Sequence, residues 1–217
     1  MHLAPNSGIN KELLEAFLKC CHRRRYPARY SLIKPGDPGN SLYYLIEGSV
    51  SITFQEEGGK ELVLGYLNRG EFIGEVGVFL GENIRTVTVR TREPCQLAEI
   101  GYKRLEQCLK HELAPYAVEL LRLLGQQVCR RLLKTSRKAG HLAFLDVTNR
   151  IVCTLLDLCK EPDAMTHPDG MQIRITRQEL GRIVGCSREM AGRVLKALEA
   201  EGRIKAHGKT IVVYGTR

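Results

Sequence analysis

In the stretch RITRQELGRIVGCSREMAGRVLKALE, Arg188, Glu189, Gly192 and Arg193 fall within about a turn and a half of a helix, near its start. A guanidinium there can bond bidentately to guanine O6 and N7. A carboxylate there can accept from cytosine N4, each pairing being worth about 1–3 kcal/mol of discrimination. Arg177, Gln178 and Lys209, with Thr176 and Ser187 at helix starts, suit phosphate contacts, which set register and affinity without choosing sequence. The same spacing also suits the solvated face of an ordinary helix pair. A second constellation is Gly74 and Glu75, with Glu75 ten residues ahead of Arg85 and Thr86 next to it. Taken alone it fits a turn followed by a surface strand, just as Thr135 and Ser136 fit the surface of a helix.

The elements that must carry the first group are legible. Thr176 can cap a helix reaching Val184, with Glu179 at capping-box spacing. Gly185 permits a tight turn, and Ser187 can cap a second helix through Leu198. Ile175, Leu180, Ile183, Val184, Val194, Leu195 and Leu198 would hold the pair together as a helix-turn-helix frame. KAHGKTIVVYG reads as a terminal β-hairpin turning at glycine, and EPDAMTHPDGMQ as a loop rich in turn residues. Upstream, Asp146 or Thr148 can cap a helix over IVCTLLDLC, which puts a hinge near Phe144 to Asp146.

From about Tyr30 to Ile100, short alternating runs punctuated by glycine predict a jelly roll or a similar closed β domain. After Pro115, Val118, Leu121, Gly125, Val128, Leu132, Thr135, Ala139 and Leu142 recur at steps of three and four along one long helix. Such a seam predicts a parallel homodimer, or else packing of the stripe on its own β domain.

Composition bounds the rest. The 217 residues, 43% hydrophobic and 26% charged, fit an ordinary globular chain rather than a disordered or collagen-like one. No apolar run suits a membrane span, and the start lacks the layout of a secretory signal, so a cytoplasmic location is expected. The net charge of +9 favours polyanionic partners, and residues 171–217 concentrate it, with ten Lys or Arg against four acids. The eight cysteines form no C-x-x-C pair, so they read as small core residues rather than as a metal or iron-sulfur site. Without a Walker loop, a metal-spaced histidine cluster or a nucleophile elbow, catalysis is not expected.

RQELGRIVGCSREMAGRVLKALE followed by HGKTIVVYGTR resembles the DNA-binding domain of the cyclic AMP receptor protein (catabolite activator) family, and the likeness extends over almost the whole chain. The resemblance implies an α+β fold. A cyclic-nucleotide-binding β-roll would span residues 1–115, a dimerisation helix and hinge 116–144, and a winged helix-turn-helix 145–217. It implies a homodimer on a palindromic double-stranded DNA site with half-sites one helical turn apart. In the β-roll, Arg85 would neutralise a cyclic phosphate, Thr86 add donors, Glu75 accept the ribose 2′-hydroxyl and Gly74 give room, while Thr135 and Ser136 contact the base. The loop with Ala164, Thr166, His167 and Gly170, and the group His22, Arg24, Glu99 and Arg104, would meet RNA polymerase.

Cyclic AMP is the expected effector. The alternative is cyclic di-GMP acting to inhibit DNA binding. Thr86 stands where cyclic-AMP-binding relatives usually have serine, and the connection KRLEQCLKHELAPYAVELL is longer than in enteric members, as in relatives that answer to cyclic di-GMP.

Overall fold

The structure, a computed structural model, describes residues 9–81, 84–161 and 163–216. Two compact units divide the chain, the first running to Lys134 without residues 60–62, the second starting at Thr135 and including them.

The first unit is built on eight strands: β1 (His22–Tyr26), β2 (Ser31–Ile33), β3 (Ser41–Glu47), β4 (Ser49–Gln55), β5 (Glu61–Asn68), β6 (Phe72–Ile73), β7 (Thr88–Thr91) and β8 (Cys95–Gly101). They form two four-stranded sheets in the orders β1-β8-β3-β6 and β2-β7-β4-β5. Period-two alternation explains how one strand serves two cores. On β3, Leu42 and Tyr44 join a cluster with Phe17, Phe72, Leu105, Leu120 and Leu124, whereas Leu45 and Tyr43 join Val50, Ile73, Val89 and Leu97. The short helices α1 (Lys11–Lys19), α2 (Glu75–Leu80) and α3 (Tyr102–Lys110) were not distinguished in the sequence.

The basic run HRRRY, which holds His22 and Arg24 of the expected polymerase-facing group, is strand β1, paired with β8 from His22↔Glu99 to Tyr26↔Cys95. It lies at the sheet edge, where long cationic side chains discourage pairing with another chain.

The long helix α4 (Ala117–Phe144) has 28 residues. Two stripes run along it. Leu120, Leu124 and Gln127, at steps of four and three, are buried against the β domain. The three-four seam is a separate stripe, with Val118 82% and Leu132 63% exposed in the single chain. The β domain therefore occupies a different face from the seam, which stays open to a partner.

The second unit contains α5 (Val147–Leu158), β9 (Met165–His167), β10 (Gly170–Arg174), α6 (Arg177–Val184), α7 (Arg188–Ala200), β11 (Ile204–His207) and β12 (Thr210–Tyr214). Ile151, Leu155, Ile173, Leu180, Val184, Ala191, Leu195, Leu198 and Ile211 form its core. The strands order as β11-β12-β10-β9. The segment around Thr166, expected as a loop, is thus partly a hairpin, with His167 opposite Gly170 and Thr166 opposite Met171. The turn residues Pro168 and Asp169 mark only its tip. Gly170 must be glycine, because a Cβ there would collide with the Val213 carbonyl.

All eight cysteines are free, with Cys95, Cys108 and Cys159 buried and Cys129 exposed. Burial is the main cause that pushes the Cys21 and Cys108 thiols up to about 12, so they stay protonated at neutral pH. Among the described residues no cluster could hold a metal ion, and no helix is long and apolar enough to cross a membrane.

Leu124→Ala should lower the unfolding free energy by about 2–5 kcal/mol, read by urea denaturation. Leu132→Glu should leave the secondary structure intact but shift the chain from dimer to monomer in analytical ultracentrifugation. Equal stability loss and unchanged mass for both variants would show that the two stripes are not functionally distinct.

Candidate functional site

The helix pair α6–α7 is set by its ends. The Thr176 hydroxyl accepts from the Glu179 amide at 3.0 Å, and that of Ser187 from the Met190 amide at 3.1 Å. Between them Gly185 closes α6 in the left-handed region, at φ +70°. Arg188, Glu189, Gly192 and Arg193 then line one open recess with Arg177 and Lys196. Gly192 packs beside the Arg177 stem, where a Cβ would make ordinary van der Waals contact at 3.4 Å from Arg177 Cδ. Glu189 is held below the usual carboxylate range by the amide at the helix start and then by the Ser187 hydroxyl, with Arg188 and Arg193 adding to this. It is therefore an acceptor only, flanked by donors.

Gln178 is exposed, and Lys209 sits in the β11–β12 turn, whose position is fixed where the Ile175 amide donates to the Lys209 carbonyl at 2.8 Å. Lys196 was missed in the sequence, although it lies three residues after Arg193 on the same face.

In the first unit, Gly74 adopts φ +90° ahead of α2. A Cβ there would fall 2.7 Å from Arg85 Nη1 and 2.8 Å from the Ser41 carbonyl. Glycine is needed because the Arg85 guanidinium lies against this turn, donating to Ser41 O and sitting 5.9 Å from the centre of the Tyr102 ring. Tyr102 in turn donates to the Gly74 carbonyl at 2.6 Å. Burial raises the Tyr102 phenol above its ordinary value, which keeps that donor protonated. The Arg85 backbone is placed by the KPGDPGN turn, with Arg85 N donating to Asp37 O and Gly36 N to Arg85 O.

Glu75 is not an open acceptor. Only 2% exposed, it pairs with Arg131 of α4, which also donates to the Phe72 carbonyl. Gln127 grips the same residue from one turn earlier: its Nε2 donates to Phe72 O at 2.7 Å and its Oε1 accepts from Phe72 N at 2.8 Å. The second Glu75 oxygen and Arg131 Nε are buried without a partner. Gln127, Arg131 and Tyr102 were missed in the sequence. The step from Leu120 and Leu124 through Gln127 to Arg131 was the available signal, a second stripe ending in polar residues.

Thr86, Thr135 and Ser136 are exposed. His22 and Glu99 are cross-strand neighbours, and Arg24 Nε lies 3.6 Å from Glu99 Oε2. Arg104 is engaged elsewhere, 2.6 Å from Glu112. On the β9–β10 hairpin Thr166 is exposed, His167 is half-buried, Ala164 packs on the core and Gly170 is buried.

A jelly-roll domain with a guanidinium over a Gly-Glu turn, and a winged helix-turn-helix with a cationic recess, define the architecture of a DNA-binding regulator with a small-molecule domain. The sequence agrees, matching the cyclic nucleotide-binding domain family over residues 23–112 and the bacterial regulatory proteins, crp family, over residues 173–204. The chain belongs to the CRP family of transcription regulators, which are DNA-binding proteins rather than enzymes. Family membership carries DNA binding and homodimeric assembly with it.

Among its relatives, the CRP-like protein Clp of Xanthomonas euvesicatoria pv. vesicatoria is 56% identical over 213 residues, 98% of this chain and 93% of that protein. The solved structure of the c-di-GMP responsive global regulator CLP of Xanthomonas campestris superposes with a TM-score of 0.90 at 56% identity, covering 95% of this chain and all of that one. A CRP/FNR-family transcriptional regulator from Thermus thermophilus gives a TM-score of 0.73 at 25% identity, covering 88% and 93%.

These relatives overturn cyclic AMP as the effector. A protein 56% identical to this chain is c-di-GMP responsive.

Because the folded Glu189 value is depressed, its stabilising contribution is present above the unfolded value and is lost as pH falls through the folded one. Glu189→Gln should flatten that part of the acid-denaturation curve. Ser187→Ala should cost about 1 kcal/mol of stability. An acid limb unchanged by Glu189→Gln would contradict the assigned cause.

Proposed function

We propose that this chain is a homodimeric, sequence-specific transcription regulator whose DNA binding is inhibited by cyclic di-GMP. The likeness to a c-di-GMP responsive regulator supports the effector. The observation that carries the direction is the clamp on Phe72–Glu75: Gln127 and Arg131 hold α4 on the β-roll with the chain's own groups, so no ligand is needed as glue. A ligand that enters beside this clamp competes with it, and shifts the equilibrium only by its differential affinity for the two states.

In this reading Arg85 and Gly74 receive a phosphodiester, Thr86 adds a hydroxyl, and Thr135 and Ser136 on α4 meet a base. Arg188, Glu189 and Arg193 read base edges, while Thr176, Arg177, Gln178, Ser187 and Lys209 hold phosphates on both halves of a palindromic site. The hairpin bearing Ala164, Thr166, His167 and Gly170, and the surface of His22, Arg24, Glu99 and Arg104, offer contacts to RNA polymerase.

Calorimetric titration should show binding of cyclic di-GMP, and its addition should weaken operator binding in a gel-shift assay. Operator affinity unchanged by the ligand would refute the regulatory reading. For the DNA surface, Arg188→Ala should relax choice at one base pair at a cost of about 1–3 kcal/mol, whereas Lys209→Ala should weaken all sequences alike and flatten the salt slope. Uniform loss in both variants would mean that reader and anchor are misassigned.

A further inference from the structure

Two guanidinia converge on four consecutive residues. Arg131 holds Phe72 O and Glu75, and Arg85 lies on Gly74 between them. Three peptide units separate the Cα atoms of Phe72 and Glu75 by at most about 11 Å. The charge balance there is uneven. Glu75 answers Arg131, whereas the groups placed on Arg85 are neutral: the Ser41 carbonyl and the Tyr102 ring.

The Arg131–Glu75 contact is also incomplete. An arginine and a carboxylate can form a fork of two parallel bonds. Here Glu75 Oε2 and Arg131 Nε are both buried without a partner. The arginine keeps an approach from outside, with 23% of its side chain exposed against 2% for Glu75. A phosphodiester has two non-bridging oxygens and could pair with this guanidinium once it turns out of the contact, satisfying the Nε that is buried without a partner beside Glu75.

Resting on the cyclic di-GMP reading above, we propose that Arg131 is the second phosphate-binding cation of the β-roll site, held in reserve by Glu75. Arg85 receives one phosphodiester of a cyclic dinucleotide and Arg131 leaves Glu75 for the other. A cyclic mononucleotide, having one phosphodiester, satisfies Arg85 and gives nothing in return for breaking the ion pair. Arg131 thus selects two-phosphate ligands over one-phosphate ligands. The same exchange loosens α4 from Phe72–Glu75, so ligand entry and helix release become one event.

Glu75 acquires a role opposite to that of a ribose acceptor, and the two roles predict opposite signs. Glu75→Gln frees Arg131 and should tighten cyclic di-GMP binding by about threefold or more, whereas loss of a ribose acceptor would weaken it. Arg131→Gln should weaken cyclic di-GMP about tenfold or more while changing cyclic GMP affinity less than about twofold. Both are read by calorimetry on the full-length dimer, with thermal melts to show that each variant is folded.

If Arg131→Gln does not fold, the Glu75→Gln titration decides by its sign. Equal loss of both nucleotides in Arg131→Gln, undiminished cyclic di-GMP binding in that variant, or weakened binding in Glu75→Gln would overturn the assignment. Failure of the unaltered chain to bind cyclic di-GMP would remove the functional reading first, and this assignment with it.

Discussion

The first unit depends on how a polar pair from one long helix reaches a two-residue strand. Phe72 buries its ring among Phe17, Tyr44 and Leu124, while its backbone N–H and C=O would be left in a dry interface. Unpaired, each group would cost about 1–3 kcal/mol. Gln127 meets both, acting as a strand neighbour made from a side chain, and Arg131 adds a charge to the same carbonyl. Apolar packing by Leu120 and Leu124 supplies the bulk of the adhesion. The polar pair fixes which turn of α4 faces which residue of the β-roll, since any sliding of the helix strands these groups.

The second unit is organised by local rules. Hydroxyl caps start both helices of the pair, and a left-handed glycine ends the first. The recognition face therefore depends on backbone chemistry at Thr176, Gly185 and Ser187 more than on any distant contact. The wing is tied by its ladder with β10, from Gly170↔Tyr214 to Arg174↔Thr210, and by the Ile175 amide, which donates to the Lys209 carbonyl in its turn. Arg177, Arg188, Arg193 and Lys196 face outward from this frame around one recess, which is what a surface that must meet a polyanion requires.

Local rules are also what a single sequence displays well. The caps at Thr176 and Ser187, the turn at Gly185 and the terminal hairpin all lie where the residues place them, and of Asp146 and Thr148 it is Asp146 that caps α5, because each is decided within a few positions. The three-four seam on α4 was visible for the same reason. Contacts between residues far apart in the chain were not. Nothing near Glu75 announces Arg131, 56 positions away, and the amide of Gln127 looks in sequence like any polar residue on a helix surface. The run HRRRY conceals a strand because its side chains are nearly all exposed and show no apolar alternation, so that only backbone pairing with β8 makes it one. The first choice of effector failed for a related reason: the Gly74–Arg85 pattern was legible, and the residues packed around it, Tyr102 and Arg131, were not.

Glutamine at 127 has a consequence for how the gene can drift. Only a carboxamide of that reach offers a donor and an acceptor side by side, as Phe72 demands. From either glutamine codon, one base change leads to glutamate, lysine, arginine, leucine, proline, histidine or a stop, and none of these is a carboxamide. Asparagine, the nearest chemical substitute, lies more than one step away and is a methylene short. The position is therefore walled in by the genetic code as well as by the fold, and lineages that rearrange this joint must pass through a poorly docked ancestor or change the strand first.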